Sequence, residues 1–270
     1  MKFDMSEAWR QATAMLSGNR EVLGVVAGLF FFLPTVAMGF AFGETSRPAV
    51  ATLAEAQKQM FETYANWWWL LALSVLFSIF GYLSLLSLLR GEQRPTVGQA
   101  LRTALVGLVP AIAAYAICIV VLSLAAGILL GVGTASGSLA VSFVAITLAV
   151  ALCFYGAVKV SLAGPVIAID KVLNPLRILS RSWQLTRGNG LRLFVFYILL
   201  VITYAVLVLV LGIVVGALTV ALGQSVGQIV SALLTGLMSA VATTVFVAIL
   251  AAVHRQLSGP STQALGQTFE

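Results

Sequence analysis

Charge is scarce in this 270-residue chain: Asp, Glu, Lys and Arg supply 9% of it against 60% hydrophobic residues, and the mean hydropathy is +1.05. A water-soluble domain carries about 25% charged residues to cover its surface, so a soluble fold is excluded. Histidine is almost absent. With His254 alone, neither a His-based metal cluster nor a Ser-His-Asp relay can be assembled in one chain. Cys118 and Cys153 both fall inside apolar runs, where a thiol acts as a small apolar side chain, and no disulfide framework is implied. No acidic residue lies inside any apolar run, and neither cysteine has a histidine neighbour, which argues against an intramembrane enzyme.

What the chain does have is six long apolar runs, at 22–42, 67–89, 104–132, 139–158, 193–222 and 229–253. A hydrocarbon layer of about 30 Å takes roughly 20 helical residues, and each run meets that length. The expected fold is all-α: a polytopic membrane protein with six transmembrane helices plus short amphipathic interfacial helices. The chain reads as one membrane domain, 1–270, with an amphipathic lead (1–21), a six-span bundle (22–253) and a tail (254–270). The lead is too long and too mixed in charge for a cleaved signal, so the first run should remain as a span.

Orientation follows from the basic residues. Of the 15 Lys and Arg, all but Arg47 and Lys58 fall on one side of the alternating runs, and Glu44, Glu55 and Glu62 offset those two. Basic loops stay cytoplasmic, so both termini are expected inside. Trp67, Trp68 and Trp69 then form an aromatic belt at the outer mouth of the second span. The pI of 9.7 is accounted for by this topology, and nucleic acid is not an expected partner.

Three basic segments precede odd-numbered spans, and each reads as a short amphipathic helix lying at the interface before the chain turns in. Together they outline a parallel repeat of three helix-plus-hairpin units. In the first, Met5, Trp9, Ala12 and Leu16 share a face and Gly18-Asn19 supply the stop. The second starts at Thr96 with Gln99 in capping-box spacing. In the third, Asn174 caps, Pro175 takes the first helical position and Gly188 ends the helix; Val172, Leu176, Leu179 and Trp183 oppose Arg177, Arg181 and Gln184. One more surface helix is expected at 48–64. Glycines four apart, Gly24 and Gly28, Gly127 and Gly131, Gly212 and Gly216, suit close backbone approach between spans. Pro34 and Pro110 should kink or bend theirs.

The most distinctive stretch is Ala163-Gly164-Pro165-Val166-Ile167-Ala168-Ile169-Asp170, followed by Asn174-Pro175 and then Ser182-Trp183-Gln184-Leu185-Thr186-Arg187-Gly188. It resembles the bacterial family named glycerophosphoryl diester phosphodiesterase membrane domain, with Asp170 where that resemblance leads one to expect glutamate and Asn174 where it leads one to expect glycine. The resemblance implies a six-span membrane module that elsewhere is fused to a phosphodiesterase barrel. The chain holds too few acids and histidines for that chemistry, so no catalytic, metal-ligating or cofactor-binding residue is expected.

Physically, Pro165, Asp170, Arg177, Arg181, Trp183, Arg187 and Gly188 read as a structural elbow: Pro165 ends the fourth span, Asp170 pairs with Arg181 or Arg187, and Gly188 turns the chain upward. The rival reading is that Arg177, Arg181, Arg187 and Arg192 collect anionic lipid headgroups. Lys159 is expected to snorkel to the interface, and His254 to serve interfacial packing. The leading function is a noncatalytic membrane module that organises or regulates lipid or envelope processes in a bacterial inner membrane. Its expected partners are membrane lipids, with a membrane-protein partner or a second copy left open. The alternative is a small transporter using Tyr115, Tyr155, Tyr204, Ser239, Thr243 and Thr244 beside Pro34.

Overall fold

The computed structural model describes residues 2–43, 52–90 and 95–259. Arg47, Arg94, the start of the expected outer helix at 48–51 and the tail from 260 lie outside them. Among the described residues all regular structure is helical, with six helices long and apolar enough to cross a membrane. It is a multi-pass membrane protein.

Helix α1 (Met5–Ala27) is capped by Asp4, whose carboxylate accepts from the Glu7 N–H. Asn19 leaves helical geometry (φ −134°, ψ 18°) at the expected stop, so the interfacial turn and the first span meet at a kink instead of a break. The lead is therefore part of the bundle: Phe3, Ala8 and Ala12 are buried, and α1 packs along the last helix. A π-helical turn (Gly28–Phe32) joins α1 to α2 (Leu33–Gly43). It ends two residues before Pro34, whose ring would strike a carbonyl one turn back in a regular helix, and the widened turn makes room.

Helix α3 (Leu53–Leu88) opens with a capping box between Thr52 and Glu55 and runs without interruption from the expected outer surface helix into the second span. Helix α4 (Val97–Ala135) opens with the expected Thr96–Gln99 box. It corrects one expectation: no separate interfacial helix forms there. Nothing between Gln99 and the apolar run breaks the chain, and α4 stays helical through Pro110, so its 39 residues form one rod of roughly 58 Å. The supposed three-fold repeat is thus realised differently each time, as a kink in α1, a continuous rod in α4 and a separate helix before the fifth span.

Helix α5 (Leu139–Val160) forms the fourth span and α6 (Ala163–Ala168) follows after Ser161 and Leu162. Helix α7 (Pro175–Leu185) is the isolated amphipathic helix, α8 (Gly190–Leu222) the fifth span and α9 (Gln224–Ser258) the sixth. Burial is concentrated at the basic end: residues 83–89 of α3 and its end, 162–168, and 247–254 of α9 are buried without a gap. Beyond Phe196 the described side chains of α8 include no buried one, so most of this span lies on the rim of the bundle.

The paired glycines do not make the close contacts expected of them. Nothing lies within 4 Å of a Cβ placed at Gly24, Gly28, Gly127, Gly131, Gly212 or Gly216. The tight approaches are at other glycines, among them Gly164 against the Tyr82 ring, Gly81 against Phe30, Gly107 against Ile167 and Gly236 against Val36 and Phe32.

Candidate functional site

The polar side chains that are buried, Ser84, Ser87, Lys159, Ser182, Thr186, Asn189 and His254, gather at the basic end. The reason begins with the chain break after α5. In a regular helix the Pro165 ring would collide with the carbonyl at 161; α4 runs through Pro110 without ending, but here the chain breaks, and it does so before the proline and not at it. Pro165 accordingly sits inside α6, fully buried with its neighbours, one turn beyond the break that ends α5. The break orphans the last carbonyls of α5, and serine hydroxyls satisfy two of them. Ser161 Oγ donates to the Val158 carbonyl at 2.8 Å, and Ser182 Oγ, reaching across from α7, donates to that of Lys159 at 2.6 Å. Helix α7 is thereby fastened to the foot of the fourth span.

The start of α7 is set as expected: Asn174 Oδ1 accepts from the Leu176 and Arg177 N–H groups at 3.0 and 3.2 Å, and Pro175 occupies the first turn. Its end follows too, with Gly188 at φ +81°, where glycine alone is unstrained. The faces of α7 are divided in three and not in two. Ile178, Ser182 and Leu185 face the protein; Leu176 and Trp183, with the half-buried Leu179, face outward; Arg177, Ser180, Arg181 and Gln184 form the exposed polar sector. The apolar stripe assigned from periodicity is the outward one.

Asp170 joins three elements. Its Oδ2 lies 3.6 Å from Arg181 Nε on α7, and its Oδ1 lies 3.3 Å from His254 Nε2 near the end of α9, where the imidazole is almost fully buried. Of the two arginines expected as partners, Arg181 is the one found. Burial by itself would raise the Asp170 carboxyl, but the close approach of His254 and then the charge of Arg181 outweigh it and hold the group below its ordinary 3.8. His254 therefore does more than pack, a role that sequence left unassigned; the only signal was that the chain's single histidine and Asp170 both border the basic end.

Lys159 is buried, with Nζ 5.5 Å from the Tyr155 ring centroid and 5.3 Å from that of Trp183. It does not snorkel freely. The two rings meet edge to face at 5.5 Å and offer the ammonium their π surfaces. Arg187 borders a recess of about 190 Å³ with Arg181, Gln184 and Asn189. Arg192 is engaged elsewhere: its Nη1 donates to the Phe3 carbonyl at 3.3 Å, while the Phe3 N–H donates to Asn189 Oδ1 at 2.9 Å. Gln256 grips the next residue from α9, donating to the Asp4 carbonyl at 3.1 Å and accepting its N–H at 3.3 Å. This N-terminal latch was not foreseen.

No family model, curated protein or solved structure matches this chain.

Of the residues named for a transport path, Ser239 is brought against Thr35, next to Pro34, at 3.4 Å, and Thr244 on the same helix bonds its own Ala240 carbonyl at 2.7 Å. Tyr115 packs against the core beside Tyr82, Tyr155 stands against Trp183, and Tyr204 is exposed on α8. Among the described residues no group of three or more His, Cys, Asp or Glu side chains could hold a metal ion; Asp170 and His254 make a pair only.

Proposed function

We propose that this protein is a noncatalytic membrane module, of the kind that the 163–192 signature resembles, which organises or regulates lipid or envelope processes at a bacterial inner membrane. In this reading both termini and the 163–192 elbow face the cytoplasm, as the distribution of Lys and Arg supports. The observation that carries it is where the most deeply buried polar and charged side chains lie: at the basic end, tying α5, α7, α9 and the N-terminus together. Such a placement suits a rigid scaffold presenting one surface to the leaflet and to partners.

The test is a deletion strain examined together with a gentle detergent purification of the tagged protein. Altered membrane lipid composition, or a membrane protein that copurifies, is the expected result; unchanged composition with no partner would sink the reading. Reporter fusions at each terminus check the orientation separately, and export of either end would overturn it.

A further inference from the structure

We propose that the recess between the loop 171–174 and α7 binds the headgroup of an anionic phospholipid. The proposal rests on the reading above only in taking this end to face a leaflet that contains such lipids. The recess has a volume of about 520 Å³ and is lined by Lys171, Arg177, Ser180, Arg181 and Gln184, with Leu173 among its apolar residues. Three cations therefore converge on one concavity. Arg181 is shared with Asp170, but among the described residues no carboxylate lies within ion-pair distance of Lys171 or Arg177. Asp170 is the one described carboxylate paired with any of these three cations, so the cluster keeps a net positive charge, and an anion seated among them lowers their mutual repulsion.

The chemistry fits a phosphodiester. Two guanidinium groups offer forked donors matched to phosphate oxygens, Lys171 supplies a compact charge, and the Ser180 hydroxyl and Gln184 amide add neutral donors. Lys171 lines this recess from a left-handed backbone position (φ 57°), uncommon for a long side chain, and the Val172 N–H holds the turn by donating to the Val166 carbonyl at 3.3 Å. The N–H groups at the start of α7 are already taken by Asn174, so side chains and not the helix end supply the recognition.

A lipid, and not a soluble phosphate, is assigned because of what surrounds the cations. Leu176 and Trp183 are 66% and 48% exposed on the adjacent sector of the same helix, and Leu173 is 46% exposed at the recess itself. Side chains of that kind settle at the acyl boundary, which brings the neighbouring cations to phosphate depth.

The experiment uses the whole protein in phosphatidylcholine discs doped with phosphatidylglycerol, with native mass spectrometry reading retained lipid. K171Q/R177Q should weaken phosphatidylglycerol binding about tenfold or more, since each cation near a charged leaflet contributes substantially to attraction. R20Q/R255Q, which removes the same charge from two exposed sites, should leave it unchanged, and the charge-preserving K171R/R177K should retain most of it. Equal loss in R20Q/R255Q, or no loss in K171Q/R177Q, overturns the site. Displacement of the lipid by inorganic phosphate or glycerol phosphate at comparable concentration overturns the lipid assignment in favour of a soluble ligand. Discs expose both faces to the same lipid, so these outcomes are independent of orientation and of any regulatory role.

Discussion

Asp170 and His254 stand 3.3 Å apart, joining the loop after α6 to the last turns of α9. The carboxylate is partly exposed and the imidazole is almost wholly buried, so each is the other's compensation for leaving water. Replacing Asp170 with Asn, or His254 with Ala, should each destabilise the protein by about 1–3 kcal/mol, the range for stranding a buried polar partner. The double variant D170N/H254A should lose less than the sum of the two, which melting curves in a fixed detergent will read as a coupling term. Strict additivity would mean that the two side chains do not interact.

The same carboxylate sets a pH dependence. Its folded value is held below the ordinary 3.8, so its contribution to stability is fully present above that value and fades as pH falls through the lower folded one. Melting temperatures of the wild type and D170N should therefore differ at neutral pH and converge in acid below 3.8. A difference that stays constant through that range would contradict the sign of the shift.

Glycine substitutions separate true contacts from sequence pattern. A Cβ at Gly164 would overlap Tyr82, and G164A should cost about 1–3 kcal/mol by overpacking. The Y82L background should relieve part of that. By contrast, a Cβ at Gly212 meets nothing within 4 Å, so G212A should be neutral or raise the melting temperature through helix propensity.

Cutting the N-terminal latch should be visible without loss of the fold. Asn189→Ala removes the acceptor of the Phe3 N–H, at a cost of about 1–2 kcal/mol. Limited proteolysis should then cleave ahead of α1 faster than in the wild type while the rest of the bundle resists. Equal rates would show that Gln256 and Arg192 suffice to hold Phe3 and Asp4.

Much of the elbow was legible from residue order. The cap at Asn174 and the turn at Gly188 follow from short-range chemistry, and an arginine of the same elbow as the partner of Asp170 was legible too, although only the structure chose Arg181 over Arg187. Pro165 was placed less well, because a proline disturbs the turn before it and the break falls at Ser161 and Leu162. The apolar and basic faces of α7 stand where periodicity put them, but the third, buried sector was missed, because Ser182 is buried through its bond to the foot of α5.

By itself, the order of residues determined six spans, their alternation, and where the second and third interfacial segments start. Hydrocarbon demands runs of apolar residues long enough to close every backbone hydrogen bond, and such runs are readable in one dimension. Only the tertiary structure decided which faces of those spans meet, that α6 is buried in the core, and that His254 and the N-terminus close on the elbow. Lipid is as apolar as a protein interior, so hydrophobic periodicity cannot tell the packed side of a span from the side in the bilayer. Partners distant in sequence are chosen by shape, as Tyr82 is by the open Cα of Gly164.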